Sequence, residues 1–207
     1  MPTLAGMMCT QVYLIRHGET QWNAEKRLQG QLDSPLTGEG IRQAAVLAGR
    51  LSSVHFNAIY SSDLDRARHT AKIIGSRLNH VAVTFDNRIR ERHFGCFQGL
   101  TWEEITDKYP EEAAKEFSGN PMNCVPGGES KQQLQARVLA FFGDIALRHT
   151  HDKILVVSHG GVLNVWTRFV LHIPLDTPRR FHINNTAINI FEFYDGHWYL
   201  KTLGETI

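Results

Sequence analysis

The fold class this sequence predicts is a three-layer α/β/α sandwich with a mostly parallel sheet. Three observations predict it. Short apolar runs rich in Val and Ile alternate with segments of helical periodicity, the rhythm of βαβ units. Residues 153–158 carry Ile154-Leu155-Val156-Val157, an unbroken apolar run that suits a strand covered on both faces. The chain has 207 residues, 42% of them hydrophobic, enough for one layered core and few for two domains. Parallel neighbours need crossover connections, and those connections supply the covering helices.

Taken in order, residues 11–16 form a buried strand through Val12, Leu14 and Ile15 that runs into a long polar, Gly-bearing loop, 17–32. Thr37 caps a helix on which Ile41, Ala44, Ala45, Ala48 and Leu51 keep helical spacing, and 58–60 is a short strand. Ser62 and Asp65 have the spacing of a capping box; the helix they head carries Leu64, Ala67, Ala71, Ile74 and Leu78 on one stripe, and 81–85 returns as a strand. From 87 to about 130 the pattern weakens into an irregular, substrate-facing insertion. It holds one short helix behind a Thr101/Glu104 capping box and another around 111–117. Ser130 and Gln133 cap a long amphipathic helix marked by Leu134, Val138, Phe141 and Ile145. The strand at 153–158 follows and ends in Ser158-His159-Gly160-Gly161. Residues 162–172 are helical before Pro174, and 187–194 with 197–203 form a hairpin around Asp195-Gly196. With no repeat or linker, residues 1–207 read as a single domain.

The 22 Lys plus Arg nearly balance the 21 Asp plus Glu, so no general field favours nucleic acid or a membrane surface; any anion site must be local. Residues 1–11 lack a signal peptide's basic and apolar regions, and no apolar run approaches the ~20 residues of a membrane span. A cytoplasmic location is expected. Cys9, Cys96 and Cys124 form no framework or zinc pattern. Among the 11 histidines there is no H-E-x-x-H; His149 and His151 flank a turn and are expected to be solvated.

In a sheet of this class ligands bind past the carboxyl ends of the strands, and two strands here end in His-Gly: Arg16-His17-Gly18 and His159-Gly160. If the sheet brings them together, Arg16, His17, Arg66 and His159 form a cationic cup. Arginine's fork of donors matches phosphate oxygens, and a helix start at Gly160-Gly161 adds backbone donors. A neutral imidazole can attack phosphorus without the deprotonation a serine needs, so one histidine in the cup can carry the phosphoryl group. Expelling an alkoxide then requires a proton donor, and Glu91 in Arg90-Glu91-Arg92-His93-Phe94-Gly95 is the best candidate. His93 is read as structural.

These motifs resemble the histidine phosphatase superfamily, also called phosphoglycerate-mutase-like. The resemblance rests on Leu14-Ile15-Arg16-His17-Gly18-Glu19-Thr20 with Asn23, Ser61-Ser62-Asp63-Leu64 leading to Arg66, Glu91 with Phe94-Gly95 and Gln98-Gly99, and Ser158-His159-Gly160. It spans about residues 12–160, in the family's order. It implies His17 as the phosphorylated nucleophile, Arg16, Arg66 and His159 as holders of the phosphoryl oxygens, and Glu91 as proton donor. It also implies that Asn23, the loop Gln29-Gly30 and Gly160 meet the substrate, with no metal and no cofactor. Gln29 departs from the Ser or Thr that many members carry. Pro126-Gly127-Gly128-Glu129-Ser130 resembles a segment of the phosphatase branch that can face substrate.

A mutase must also hold its substrate's carboxylate. In the mutases that residues 90–100 most resemble, a lysine follows the Gln-Gly pair where this chain has Trp102. An arginine pair follows in their insertion, but here no arginine lies between Arg92 and Arg137, and the lysines there are Lys108, Lys115 and Lys131. The rim is therefore expected to be apolar, from Phe94, Phe97, Trp102 and Trp22, residues equally suited to core. The expected function is hydrolysis of small phosphomonoesters through a phosphohistidine, with the small-molecule ester as partner and a homodimer as an allowed assembly. The alternatives are a phosphoglycerate mutase and a phosphate-binding module without turnover.

Overall fold

Two strands far apart in sequence make the centre of the sheet. In chain order the elements are β1 (Thr10–Arg16), the one-turn α1 (Gln21–Ala24), α2 (Gly38–Leu51), β2 (Ala58–Ser61), α3 (Asp65–Gly75), β3 (Val83–Phe85), α4 (Trp102–Lys108), α5 (Pro110–Phe117), α6 (Lys131–Arg148), β4 (Lys153–Ser158), α7 (Gly160–Val170), β5 (Ile188–Tyr194) and β6 (His197–Glu205). This is a computed structural model describing residues 9–78 and 81–206; residues 1–8, most of the segment read for a signal peptide, lie outside them.

The sheet order is β3-β2-β4-β1-β5-β6, parallel from β3 to β1 and antiparallel in the last two pairings. β4 slots between β1 and β2, with Gln11 opposite Lys153 and Arg16 opposite Ser158. The chain moves toward the β3 edge after β1 and back toward the β6 edge after β3. Right-handed crossovers between the parallel strands then put α2 and α3 on one face and α6 on the other, where α7, leading to the antiparallel β5, packs beside it. The side chains follow: Val12, Leu14, Ile154 and Val156 pack with α6 and α7, while Ile15, Leu155 and Val157 pack with α2 and α3. The expected three layers are present.

The insertion has a small core of its own, Phe97, Ile105, Ala113 and Val125. The capping boxes at Thr101/Glu104 and Ser130/Gln133 both form. The one expected at Ser62/Asp65 does not. The residue before α3 is Leu64, and Ser62 Oγ accepts from Leu64 N instead. Asp33, brought from the first loop, accepts from the amides of Asp65 and Arg66, so a distant carboxylate replaces the local cap. His149 is likewise not solvated: its ring is bonded to Asp152 Oδ2 and to Tyr60 Oη, both at 2.9 Å. His151 is exposed, as expected. Among the described residues no helix is long and apolar enough to cross a membrane.

Candidate active site

The β1–β4 register carries the two His-Gly pairs to the same end of neighbouring strands. His17 N donates to Ser158 O, and the rings of His17 and His159 stand 5.2 Å apart between centroids. His17 Nδ1 lies 2.7 Å from Gly18 O. A carbonyl only accepts, so Nδ1 carries the proton and Nε2 keeps its lone pair. Asn185 Nδ2 donates to His17 O, and Gly18 N donates to Thr70 Oγ1, which in turn bonds Arg66 O. The nucleophile candidate is thus tied to β4, α3 and the loop before β5. Gly18 itself is obligatory: a β-carbon there would lie 2.5 Å from Gly40 O.

Both imidazoles are buried, and both are pushed well below the ordinary histidine pKa. Burial is the main cause in each. For His17 the charges of Arg66 and Arg16 add to it; for His159 those of Arg66, His17, Arg137 and Arg16 do. At neutral pH the two rings are therefore uncharged.

Arg66 is anchored by its outer nitrogens, Nη1 to Leu32 O and Asp33 Oδ1 and Nη2 to Gly30 O. Arg16 Nη1 donates to Ile183 O. What remains is notable for its shared place. Arg16 Nε, Arg66 Nε, both ring nitrogens of His159 and Gln29 Oε1 are buried without a partner among the described residues. Buried polar groups are normally satisfied, so such a set gathered around one histidine marks where an external group binds.

Glu91 follows a 3-10 turn, Asn87–Ile89, held by Ser158 Oγ on Ile89 O and by Arg137, which donates to the carbonyls of Arg88, Arg90 and Glu91. Its carboxylate accepts from Arg92 N (2.7 Å) and from Gly161 N in the first turn of α7 (3.0 Å). A β-carbon at Gly161 would sit 2.0 Å from Glu91 Oε1, so only glycine permits this approach. The flanking arginines face other partners, Arg90 with Asp63 at 2.5 Å and Arg92 with Glu116 at 2.7 Å.

Arg16, His17, Asn23, Gln29, Gly30, Arg66, Glu91 and Gly160 line one cleft of about 330 Å³, with His159 buried beside His17. All nine residues read from the sequence come together. Asn23 also boxes Thr20 at the head of α1, and Gln29 Nε2 donates to Thr20 Oγ1. The expectation of an apolar, cation-poor rim fails. Of the four aromatic residues only Phe94 lines the cleft. Phe97 is fully buried in the insertion's own core, Trp102 is exposed with its ring edge-on to Phe97 and tilted against Phe117, and Trp22 lies beneath Gly99. Arg27 and Arg179 line it instead. Arg27 lies in the loop between Asn23 and Gln29-Gly30, a position that could have pointed to it, whereas Arg179 adjoins no motif and had no local signal. The segment 126–130 buttresses the site from behind: Glu129 N donates to His93 O, its carboxylate pairs with Arg137, and His93 Nδ1 accepts from Gly95 N. Among the described residues no group of three or more His, Cys, Asp or Glu is placed to hold a metal ion.

Comparison with known proteins agrees with this geometry. The chain is 37% identical over 188 residues, 91% of its length and 87% of the relative's, to a probable phosphoglycerate mutase GpmB of Salmonella choleraesuis. Among solved structures it is similar to Bacillus stearothermophilus YhfR, with a TM-score of 0.88, 34% identity, and coverage of 96% of this chain and 98% of that one. It is also similar to a mycobacterial glucosyl-3-phosphoglycerate phosphatase in complex with VO3, with a TM-score of 0.84, 28% identity, and coverage of 95% and 99%. A putative alpha-ribazole-5'-P phosphatase from Escherichia coli gives a TM-score of 0.88 at 27% identity, covering 95% and 96%. A family model matches residues 12–206, and with it the chain belongs to the histidine phosphatase superfamily, branch 1.

Proposed function

We propose that this protein hydrolyses small phosphomonoesters through a phosphohistidine at His17, with Glu91 as acid and then base. The observation that carries this reading is the lone pair of His17 Nε2 in a cleft whose surrounding buried donors, Arg16 Nε, Arg66 Nε and a nitrogen of His159, have no partner among the described residues. Nε2 attacks phosphorus; the P–O bond to the leaving group breaks, and that oxygen takes a proton from the Glu91 carboxyl. Water, losing a proton to the Glu91 carboxylate, then attacks phosphorus and breaks the P–N bond, returning His17 and releasing phosphate. Arg16, Arg66 and His159 offset the charge that builds on the equatorial oxygens. The two guanidinium charges, with the neutral His159 as a further hydrogen-bond donor, supply what a metal would otherwise supply, so we read the reaction as metal-independent. Gln29 joins the cup by turning its amide: the Thr20 hydroxyl then donates to its oxygen, and its NH2 faces the phosphoryl group.

The experiment is brief reaction with a ³²P-labelled ester followed by alkaline quench, in which a phosphoramidate survives. Label on His17, absent from His17→Ala, supports the mechanism; label on serine or aspartate overturns it. Turnover that persists in chelator supports the metal-independent reading, and activity lost to chelator and restored by zinc overturns it.

Phosphoglycerate mutase is the second reading, favoured by the name of the 37%-identical relative and by Arg27 and Arg179 on the rim. Hydrolysis is preferred because residues 93–136 contain no arginine and Trp102 packs outside the cleft. Interconversion of 2- and 3-phosphoglycerate faster than phosphate release from any ester would reverse the preference.

A further inference from the structure

The catalytic cleft does not end at the cup. Asn164 and Arg179 line it and also line a second cleft of about 500 Å³, which continues along α7. Phe117, Val165 and Leu175 give this annex an apolar wall, and Lys131 and Arg168 add cations.

Of its three cations, two make no ion pair among the described residues; the third, Lys131, has Glu116 at 3.6 Å. Arg168 is only 3% exposed, yet it donates to neutral acceptors alone, Asn164 Oδ1 at 3.0 Å and Pro174 O at 2.7 Å. Arg179 is exposed and makes no ion pair or hydrogen bond among the described residues. Asp176 and Glu116 are the acids of the annex; Glu116 is already bound to Arg92 and Lys131, and the exposed Asp176 attracts Arg168 from beyond ion-pair distance while Arg179 repels it. A buried guanidinium without a directly bonded carboxylate is costly, and an incoming anion offsets that cost. Asn164 has committed its oxygen to Arg168, which leaves its amide NH2, a donor only, unpartnered among the described residues.

Resting on the hydrolase reading above, we propose that the preferred substrate's leaving group carries a second anionic group, a carboxylate or phosphate, received by Arg168 and Arg179 in this annex. Gly160, Asn164 and Arg168 are spaced four residues apart on one face of α7. At 1.5 Å per residue, Asn164 lies about 6 Å along the axis from the cup, and the Arg168 guanidinium, which reaches back to bond Asn164, lies between that level and the roughly 12 Å of its own backbone, so a spacer of roughly four to seven carbons is required. The apolar wall suits such a spacer.

The test is steady-state phosphate release from three homologous series: n-alkyl phosphates, ω-carboxyalkyl phosphates and alkane-α,ω-diyl bisphosphates. At six carbons the anionic esters should exceed hexyl phosphate in kcat/KM by about tenfold, mainly through KM, the scale of one charge-assisted hydrogen bond. At two carbons the advantage should vanish. The carboxylate and bisphosphate arms identify which anion is preferred. Arg179→Gln, a surface change, should reduce kcat/KM about tenfold more for the six-carbon anionic ester than for hexyl phosphate, and Arg168→Lys should retain part of the preference that Arg168→Gln loses. Equal kcat/KM within each pair at every length overturns the annex, as does a loss in Arg179→Gln that falls equally on both members. Absence of phosphate release from every ester, p-nitrophenyl phosphate included, overturns the hydrolase reading and the annex with it.

Discussion

The cup and the rim of this cleft are built differently. The cup residues Arg16, His17 and His159 stand at the ends of two central strands whose register is fixed by apolar side chains on both faces. A slip of one residue would turn each of those side chains to the opposite face. The rim, by contrast, comes from loops: the segment around Glu91, stapled by Arg137, and the stretch before β5 that carries Arg179. The candidate nucleophile and its phosphate-holding partners sit where the backbone has no freedom, and the candidate acid and the outer cation Arg179 sit where a substitution leaves the sheet untouched. This is the division expected of sites grafted onto a rigid scaffold.

Breaking the cup should have the largest effect. His17→Ala is expected to lower turnover by about 10⁴-fold or more, since it removes the atom proposed to carry the phosphoryl group; stopped assays with and without alkaline trapping measure it. The rim acid comes next. Glu91→Gln should cost about 10²–10⁴-fold on alkyl phosphates, whose leaving groups need a proton, and much less on p-nitrophenyl phosphate. An equal loss on both would make Glu91 a binding residue. Gly161→Ala sharpens the comparison, because its new methyl collides with Glu91 Oε1 without touching His17. It should mimic Glu91→Gln in sparing aryl esters, with a penalty on alkyl esters on the order of tenfold or more.

The cup also predicts how stability depends on pH. Both histidines are held below their unfolded value of about 6.5. Between the folded and unfolded values the unfolded chain binds protons that the folded chain refuses. Stability is therefore complete above about pH 6.5 and falls on acidification, by about 1.4 kcal/mol per pH unit for each histidine. Urea denaturation from pH 7 to 5 should show this slope, and His159→Gln should make it shallower; an unaltered slope would place the titration elsewhere. The same depression keeps His17 nucleophilic below the pH at which an exposed histidine protonates. The smallest expected effect is at Trp102→Lys. Trp102 packs beside Phe97 and Phe117 and not on the cleft, so 3-phosphoglycerate binding should change less than twofold, while the melting temperature drops slightly.

The contrast between cup and rim also explains what the sequence disclosed. His17 and His159 were legible because each follows an apolar strand and precedes glycine, a local pattern with a global meaning. The layers were legible for the same reason: residues on each strand declare two buried faces. What failed was anything decided by a partner far along the chain. Ser62 and Asp65 have the right spacing for a box, but Asp33 takes the amides at the head of α3 and the Arg66 side chain as well. Phe97 and Trp102 carry no mark that separates rim from core: the insertion's own core takes in Phe97, while Trp102 stays exposed beside Phe97 and Phe117, away from the cleft. Arg179 sits in a loop whose path is set by its anchors at Arg16 and His17.

The insertion of β4 between β1 and β2 has a consequence for the birth of the protein. During synthesis β1 and β2 emerge early, yet they are not neighbours in the finished sheet; each waits for β4, and β1 waits also for β5. Because domains acquire their structure as the chain leaves the ribosome, a nascent chain that stops short of residue 158 has half a cup and an open sheet centre. Its apolar strands have nothing to pair with but each other or another chain. The protein is therefore expected to stay catalytically silent until nearly all of it has been made, and to depend on holdase chaperones most while β4 is still inside the exit tunnel.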